Sequence, residues 1–176
     1  MTVDMSLLKS VGKGIKIHEY VRIIYPENVE IGEGTQIDDF VLVNGGTKTR
    51  IGRWNHIASF VSIVGGGEFI TEDYVGIATG AKIITGTHHY GDGMRISPLI
   101  DENEQFIKRG LVYLARDVFV GANAIIFTNI RVGEGAIIGA GAVITKDLEP
   151  WSINVGVPAK KIGMRPKIKG NERGSL

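Results

Sequence analysis

Residues 118–147 read VFVGANAIIFTNIRVGEGAIIGAGAVITKD, and together with Leu114 they carry an aliphatic residue at every sixth place: Leu114, Val120, Ile126, Val132, Ile138 and Ile144. Four places after nearly every one stands a second apolar residue, usually small: Val118, Ala124, Ile130, Ala136, Ala142 and Leu148. Neither the helical period of about 3.6 nor the strand period of about 2 explains a strict six. A six-residue beat fits a solenoid in which each hexapeptide forms one side of a coil and the beat residue points inward. Three hexapeptides make one triangular turn, and successive turns stack at about 4.8 Å, the ordinary spacing of paired strands. Each turn then buries its beat on its neighbours and satisfies its backbone by parallel pairing.

The beat extends upstream with small slips. Ile31, Ile37 and Val43 form one set, Ile51, Ile57 and Ile63 a second, and Ile70, Ile77 and Ile83 a third. Ile31, Ile51, Ile70, Leu114 and Val132 are expected to stack on one side of the triangle, and Ile37, Ile57, Ile77, Val120 and Ile138 on the next. The slips place two extra residues at Gly45-Gly46 and one near Gly65-Gly66-Gly67. A far larger break follows Ile83, where about 25 residues leave the coil before Leu114, most of them in HHYGDGMRISPLIDENEQFIKRG, residues 88–110. Loops of that length in compact domains are usually functional. The expectation is one all-β domain over 1–176, a triangular parallel solenoid of five to six coils. The coils span about 15–87 and 111–157, with an excursion loop over 88–110 and a tail over 158–176. Ser6 to Val11 is read as a helical turn before the first coil, and the basic tail after Pro158 as a short helix or extended arm.

Composition narrows the function classes. The chain has 176 residues with 25 Gly and only 7% aromatics, which suits many tight corners around a narrow aliphatic core. A net charge of +1 gives no field that argues for nucleic acid or an anionic membrane. There is no cysteine, which excludes a disulfide scaffold, a thiolate metal site and a cysteine nucleophile. The first ten residues, MTVDMSLLKS, do not read as a signal peptide, and no run of about 18 apolar residues occurs, so the expected location is the cytoplasm.

Four segments carry a likeness to a known family: Val118-Phe119-Val120-Gly121, Ile138-Gly139-Ala140-Gly141, Val143-Ile144-Thr145-Lys146-Asp147 and Gly156-Val157-Pro158-Ala159-Lys160. With them the chain resembles the hexapeptide-repeat acyltransferases, left-handed parallel β-helix proteins with acetyl-CoA as donor. The period gives the coil, and its left-handedness is implied by the resemblance alone. Thr87-His88 looks like the branch that acetylates sugars and galactosides. Pro26-Glu27-Asn28 and Asp38-Asp39-Phe40 look more like the branch acting on nucleotide-linked amino sugars. That likeness implies a small-molecule acceptor, a homotrimer with active sites between subunits, and a place in making surface-polysaccharide sugars.

Acyl transfer needs a base for the attacking group, a donor for the oxyanion, and two substrates held face to face. The four histidines are His18, His56, His88 and His89. His18 reads as a surface residue. His88 stands where the coil hands over to the excursion and aligns with the catalytic histidine of galactoside-type relatives, which makes it the first candidate base. His56 is the second. Relatives that acetylate hydroxyls carry an asparagine where this chain has Ala58 to Phe60, which shifts the reading toward an amino acceptor. Asp38, Asp39, His89, Asp92 and Glu102 are the substrate-side candidates. The resemblance places the pantetheine arm of the coenzyme along Phe119, Gly121, Ala122, Gly139 and Ala140. It places the nucleotide phosphates by Thr145, Lys146, Lys160 and Arg165, where cations suit phosphate. Three other readings compete: O-acetylation of a galactoside-type or maltose-type sugar, a zinc carbonic-anhydrase-like enzyme on the same coil, and a coil module without catalysis. The zinc reading lacks its family's histidine spacing, and no metal is expected.

Overall fold

The computed structural model describes residues 3–88, 91, 93, 96–97 and 107–169. Short strands stack into three parallel walls. The first wall runs from Ser10–Val11 through Val29–Ile31, Lys48–Ile51, Glu68–Thr71 and Leu111–Leu114 to Ile130–Val132. The second contains Lys16–Ile17, Gln36–Ile37, His56–Ile57, Gly76–Ile77, Phe119–Val120, Ile137–Ile138 and Ser152–Val155. The third runs from Arg22–Ile24 through Leu42–Asn44, Ser62–Val64, Lys82–Ile84 and Ile125–Ile126 to Val143–Ile144. This makes six complete coils and the start of a seventh, slightly more than the beat suggested. The first coil starts earlier than expected, with the strand Ser10–Val11 in place of a helical turn, and its Val11, Ile17 and Ile23 pair with Ile31, Ile37 and Val43 but are not themselves fully buried.

Beat residues form the core. Ile37, Val43, Ile63, Ile83, Leu114, Val120, Ile126, Val132, Ile138 and Ile144 are all completely buried. One expected member is replaced: Ile70 pairs with Arg50 and Tyr113 and faces outward, while Thr71 pairs with Leu114 and points in. The slip at Gly65-Gly66-Gly67 is therefore two residues, the same as at Gly45-Gly46. The physical reason lies on either side of Ile70. Phe69 fills the interior one position earlier, and the Thr71 hydroxyl accepts hydrogen bonds from the Gly52 N–H, at 2.9 Å, and from the Asn55 side-chain amide. The Asn55 carbonyl in turn accepts from the Val75 N–H at 2.7 Å. Among the described residues every buried side-chain polar atom has a partner.

The corners have a rule of their own: the third residue after a beat turns the chain in the left-handed region. Glycine serves at Gly34, Gly80, Gly135 and Gly141, but Phe40, Trp54, Phe60, Tyr74, Asp117, Asn123, Asn129 and Trp151 take the same conformation with φ between 56° and 66°. For bulky side chains that conformation costs about 1–3 kcal/mol each. Packing offsets part of it. Tyr20, Phe40 and Phe60 stack with centroids 5.4 and 5.1 Å apart, and the Trp54 ring lies where a Cβ on Gly34 would stand.

The ends differ from expectation in detail. The N-terminal turn is a 3-10 turn over Met5–Leu7 capped by Asp4, followed by a strand. The tail is neither helix nor free arm: Lys160–Met164 folds back antiparallel on Ser152–Val155 and closes the edge of the second wall. The excursion begins and ends as an antiparallel hairpin, Gly86–His88 against Ile107–Arg109. No helix among the described residues is long and apolar enough to cross a membrane.

Two substitutions test this packing. Ile57→Ala should cost about 2–5 kcal/mol, seen as a lower denaturation midpoint in urea or heat. Thr71→Val keeps the volume but removes an acceptor from two buried donors, and should cost about 1–3 kcal/mol in the same measurement. An unchanged midpoint in Thr71→Val would contradict the inward placement of Thr71.

Candidate active site

Outward positions on the second wall form columns, because each coil sets its residues beside those of the next. One column reads Gln36, His56, Gly76, Phe119 and Ile137 in direct register. The column after the beat contains His18, Asp38, Ala58, Ala78, Gly121 and Gly139. Near the N-terminal end the two columns meet in a polar cluster. The Asp38 carboxylate lies 2.9 Å from His56 Nε2, accepts from Gln36 Nε2 at 2.8 Å, and has His18 Nε2 at 3.8 Å. Burial alone pushes the Asp38 carboxyl upward. The hydrogen bonds from Gln36 and His56, with the charges of both histidines, outweigh it and hold the group below the usual carboxylate range. The Asp38–His56 contact fixes the imidazole through Nε2 and leaves Nδ1 as the nitrogen able to accept a proton. Asp39 is occupied differently, accepting from the Tyr20 N–H at 2.9 Å with His18 Nδ1 at 3.7 Å. His18, read from sequence as a surface residue, thus belongs to this cluster, and Gln36 was missed. Both were within reach of the sequence, since coils of twenty residues align 16, 36, 56 and 76.

His88 lies elsewhere. It is half-buried on the first strand of the hairpin, opposite Ile107, where the chain leaves the third wall for the first. That corner is the one the second wall does not touch. Within one chain, then, the described structure does not bring His88 to His56. His89, Asp92 and Glu102 fall outside the described residues.

The coenzyme-side positions separate into two kinds. Phe119 is 45% exposed, Ala140 is exposed and Ala122 half-buried, so these present a surface. Gly121 is buried, and a Cβ on it would strike the Ala140 and Gly139 backbone; on Gly139 it would strike Val155. Those two glycines serve coil stacking. Thr145, Lys146 and Lys160 are exposed at the C-terminal end, where Ala159 N–H bonds the Val143 carbonyl at 2.8 Å and fixes the tail. Arg165 is engaged in the fold: its Nη1 donates to the Asp117 carbonyl at 3.1 Å and the guanidinium lies 5.8 Å from the Trp151 ring centre. Among the described residues no group of three or more histidines, aspartates or glutamates is arranged to hold a metal ion.

No protein-family model matches the chain. AntD, an N-acyltransferase from Bacillus cereus solved in complex with dTDP and 3-hydroxybutyryl-CoA, superposes with a TM-score of 0.86 at 32% identity, covering 92% of this chain and 85% of that one. A hexapeptide-repeat acetyltransferase from Vibrio cholerae shares the fold at TM-score 0.64 and 17% identity, over 92% of this chain and 77% of the other. The dTDP-4-amino-4,6-dideoxy-D-glucose acyltransferase of Escherichia coli is 32% identical over 101 residues, 57% of this chain and 53% of that protein. The chain spans about half the length of that curated relative. Since the likeness to the Bacillus protein runs through nearly the whole of both chains, the protein belongs to the hexapeptide-repeat acyltransferase family, built on the left-handed parallel β-helix.

Proposed function

We propose that the protein transfers an acyl group from acyl-CoA to the amino group of a nucleotide-linked amino sugar. The observation that carries the reading is the His56–Asp38 pair, set two strands from Phe119 on one face of the second wall. Similarity to AntD, crystallised with dTDP and an acyl-CoA, supports both substrates. So does similarity to a dTDP-amino-sugar acyltransferase.

The chemistry follows from the pair. The amine nitrogen attacks the thioester carbonyl carbon; the C–N bond forms and the C–S bond breaks. His56 Nδ1 takes the proton lost by the amine and returns it to the departing thiolate. Asp38 holds the ring through Nε2 and stabilises its charged form, as a carboxylate does for a catalytic imidazole. Asp39 and His18 border the same space and suit the sugar's hydroxyls. Lys146 and Lys160 meet the coenzyme phosphates, while Thr145 borders them. We place this activity in the cytoplasm, in making amino sugars for surface polysaccharides.

His88 enters through assembly. On its outer face the third wall carries Leu42, Val64, Ile84, Ile125 and the exposed Phe127 among the polar Arg22, Asn44, Ser62 and Lys82. The apolar members of that face favour self-association, and in a homotrimer the His88 hairpin of one subunit reaches the second wall of the next. His88 is then a substrate-facing residue, and the base for the shared site is His56.

Thiol release from acetyl-CoA, followed with a panel of nucleotide-linked amino sugars and free glycosides, tests the reaction; with no cysteine the protein adds no background. Amino sugars should be consumed and glycosides left. His56→Ala should lose at least about a hundredfold in kcat, the lower range for a general base. His88→Ala should act chiefly on KM for the acceptor. The reverse pattern makes His88 the base. Phe127→Asp should lower trimer content in sedimentation and activity together; full activity in a monomer would refute the shared site.

A further inference from the structure

Gly76 stands in an odd place for a glycine. It lies within the second wall, in the strand Gly76–Ile77, paired directly with His56 on one side and Phe119 on the other. Glycine weakens a strand, and within one it often marks where a ligand approaches closely. Two ordinary reasons for glycine do not apply. Its φ is not in the left-handed region. A Cβ on it would not strike the neighbouring coil's backbone, as it would at Gly32, Gly52 or Gly121; its nearest contacts would be Phe119 Cδ2 at 3.2 Å and Cε2 at 3.7 Å. The missing side chain therefore leaves room for one thing, the Phe119 ring, which leans over the strand toward His56.

We infer that Gly76 is a specificity-determining residue that lets the Phe119 ring lie low over the strand between it and His56, so that the ring forms a shelf where the pantetheine arm gives way to the acyl chain of the donor. This rests on the acyl-transfer reading above. The flanking Ala58 and Ala78 keep the adjoining column low as well. The thioester carbonyl must meet the amine next to His56, whose two neighbouring strands are those of Gln36 and Gly76; Gln36 is tied to Asp38 in the polar cluster, which leaves the side-chain-free Gly76 strand for the acyl carbons. A β-branched side chain there lifts the ring and converts the shelf into a wall. A two-carbon acyl group fits in either case, and a four-carbon group only over the shelf.

The experiment compares kcat/KM for acetyl-CoA and butyryl-CoA in the wild type and in Gly76→Ala and Gly76→Val. The wild type should use both. Gly76→Val should lower the butyryl-to-acetyl ratio at least about tenfold, within the range that added methylenes produce in an apolar site, and Gly76→Ala should fall between. The denaturation midpoint should hold or rise, because valine suits strands better than glycine. In a Phe119→Ala background Gly76→Val should no longer change the ratio, which a purely structural role for Gly76 does not predict. An unchanged ratio in Gly76→Val with the wild type active on both donors overturns the inference and leaves the acyl-transfer reading standing. If the wild type releases no thiol from either donor with any amino sugar, that reading falls and the inference with it.

Discussion

The hydrogen-bond ladder between successive coils is the constraint from which the rest follows. It holds each strand about 4.8 Å from the next and in fixed register, so that a residue's lateral neighbours are those one coil earlier and one coil later. Interior columns become uniform because a mismatch has no place to go. The exceptions prove informative: Thr71 enters an aliphatic column only because Gly52 and Asn55 supply donors for its hydroxyl. The same ladder presses backbones together where coils turn, which is why Gly32 and Gly52 tolerate no Cβ. On the outer face it places chemistry. Gln36, His56, Gly76 and Phe119 are neighbours for no reason other than coil register.

Much of the fold was legible because a core column repeats one residue class at one spacing. Leu114 to Ile144 announce it without a slip, and the break after Ile83 marks the hairpin base correctly. The reading failed where two periods compete. Ile70 and Thr71 both lie near the expected beat, and hydrophobicity alone selects the wrong one, since the deciding partners are a hydroxyl acceptor and a buried Phe69. The opening strand of the first coil was read as a turn because its Val11 faces less of the interior than later members do.

The site was less legible, and for a different reason. A core column is selected by one property, whereas an outward column mixes residue types and shows no repeat. His56 and Asp38 were each singled out, but their 2.9 Å contact depends on side chains crossing from one column to another. His18 looked remote along the chain, yet twenty residues is one coil, so it stands next to Asp38. Arg165 seemed suited to phosphate by charge; its carbonyl contacts arise from the returning tail, whose strand no periodicity foretold.

That returning strand has a consequence for length. A parallel coil ends in an open edge that matches its own beginning, and nothing in the repeat itself says how many turns to make. By reversing direction, Lys160–Met164 presents to the outside a strand running the wrong way for another coil to dock in register. The solenoid is thus blocked at its C-terminal edge by the returning strand. Its extent is set by a terminator written in the sequence after the repeats stop, much as an end group halts a growing polymer.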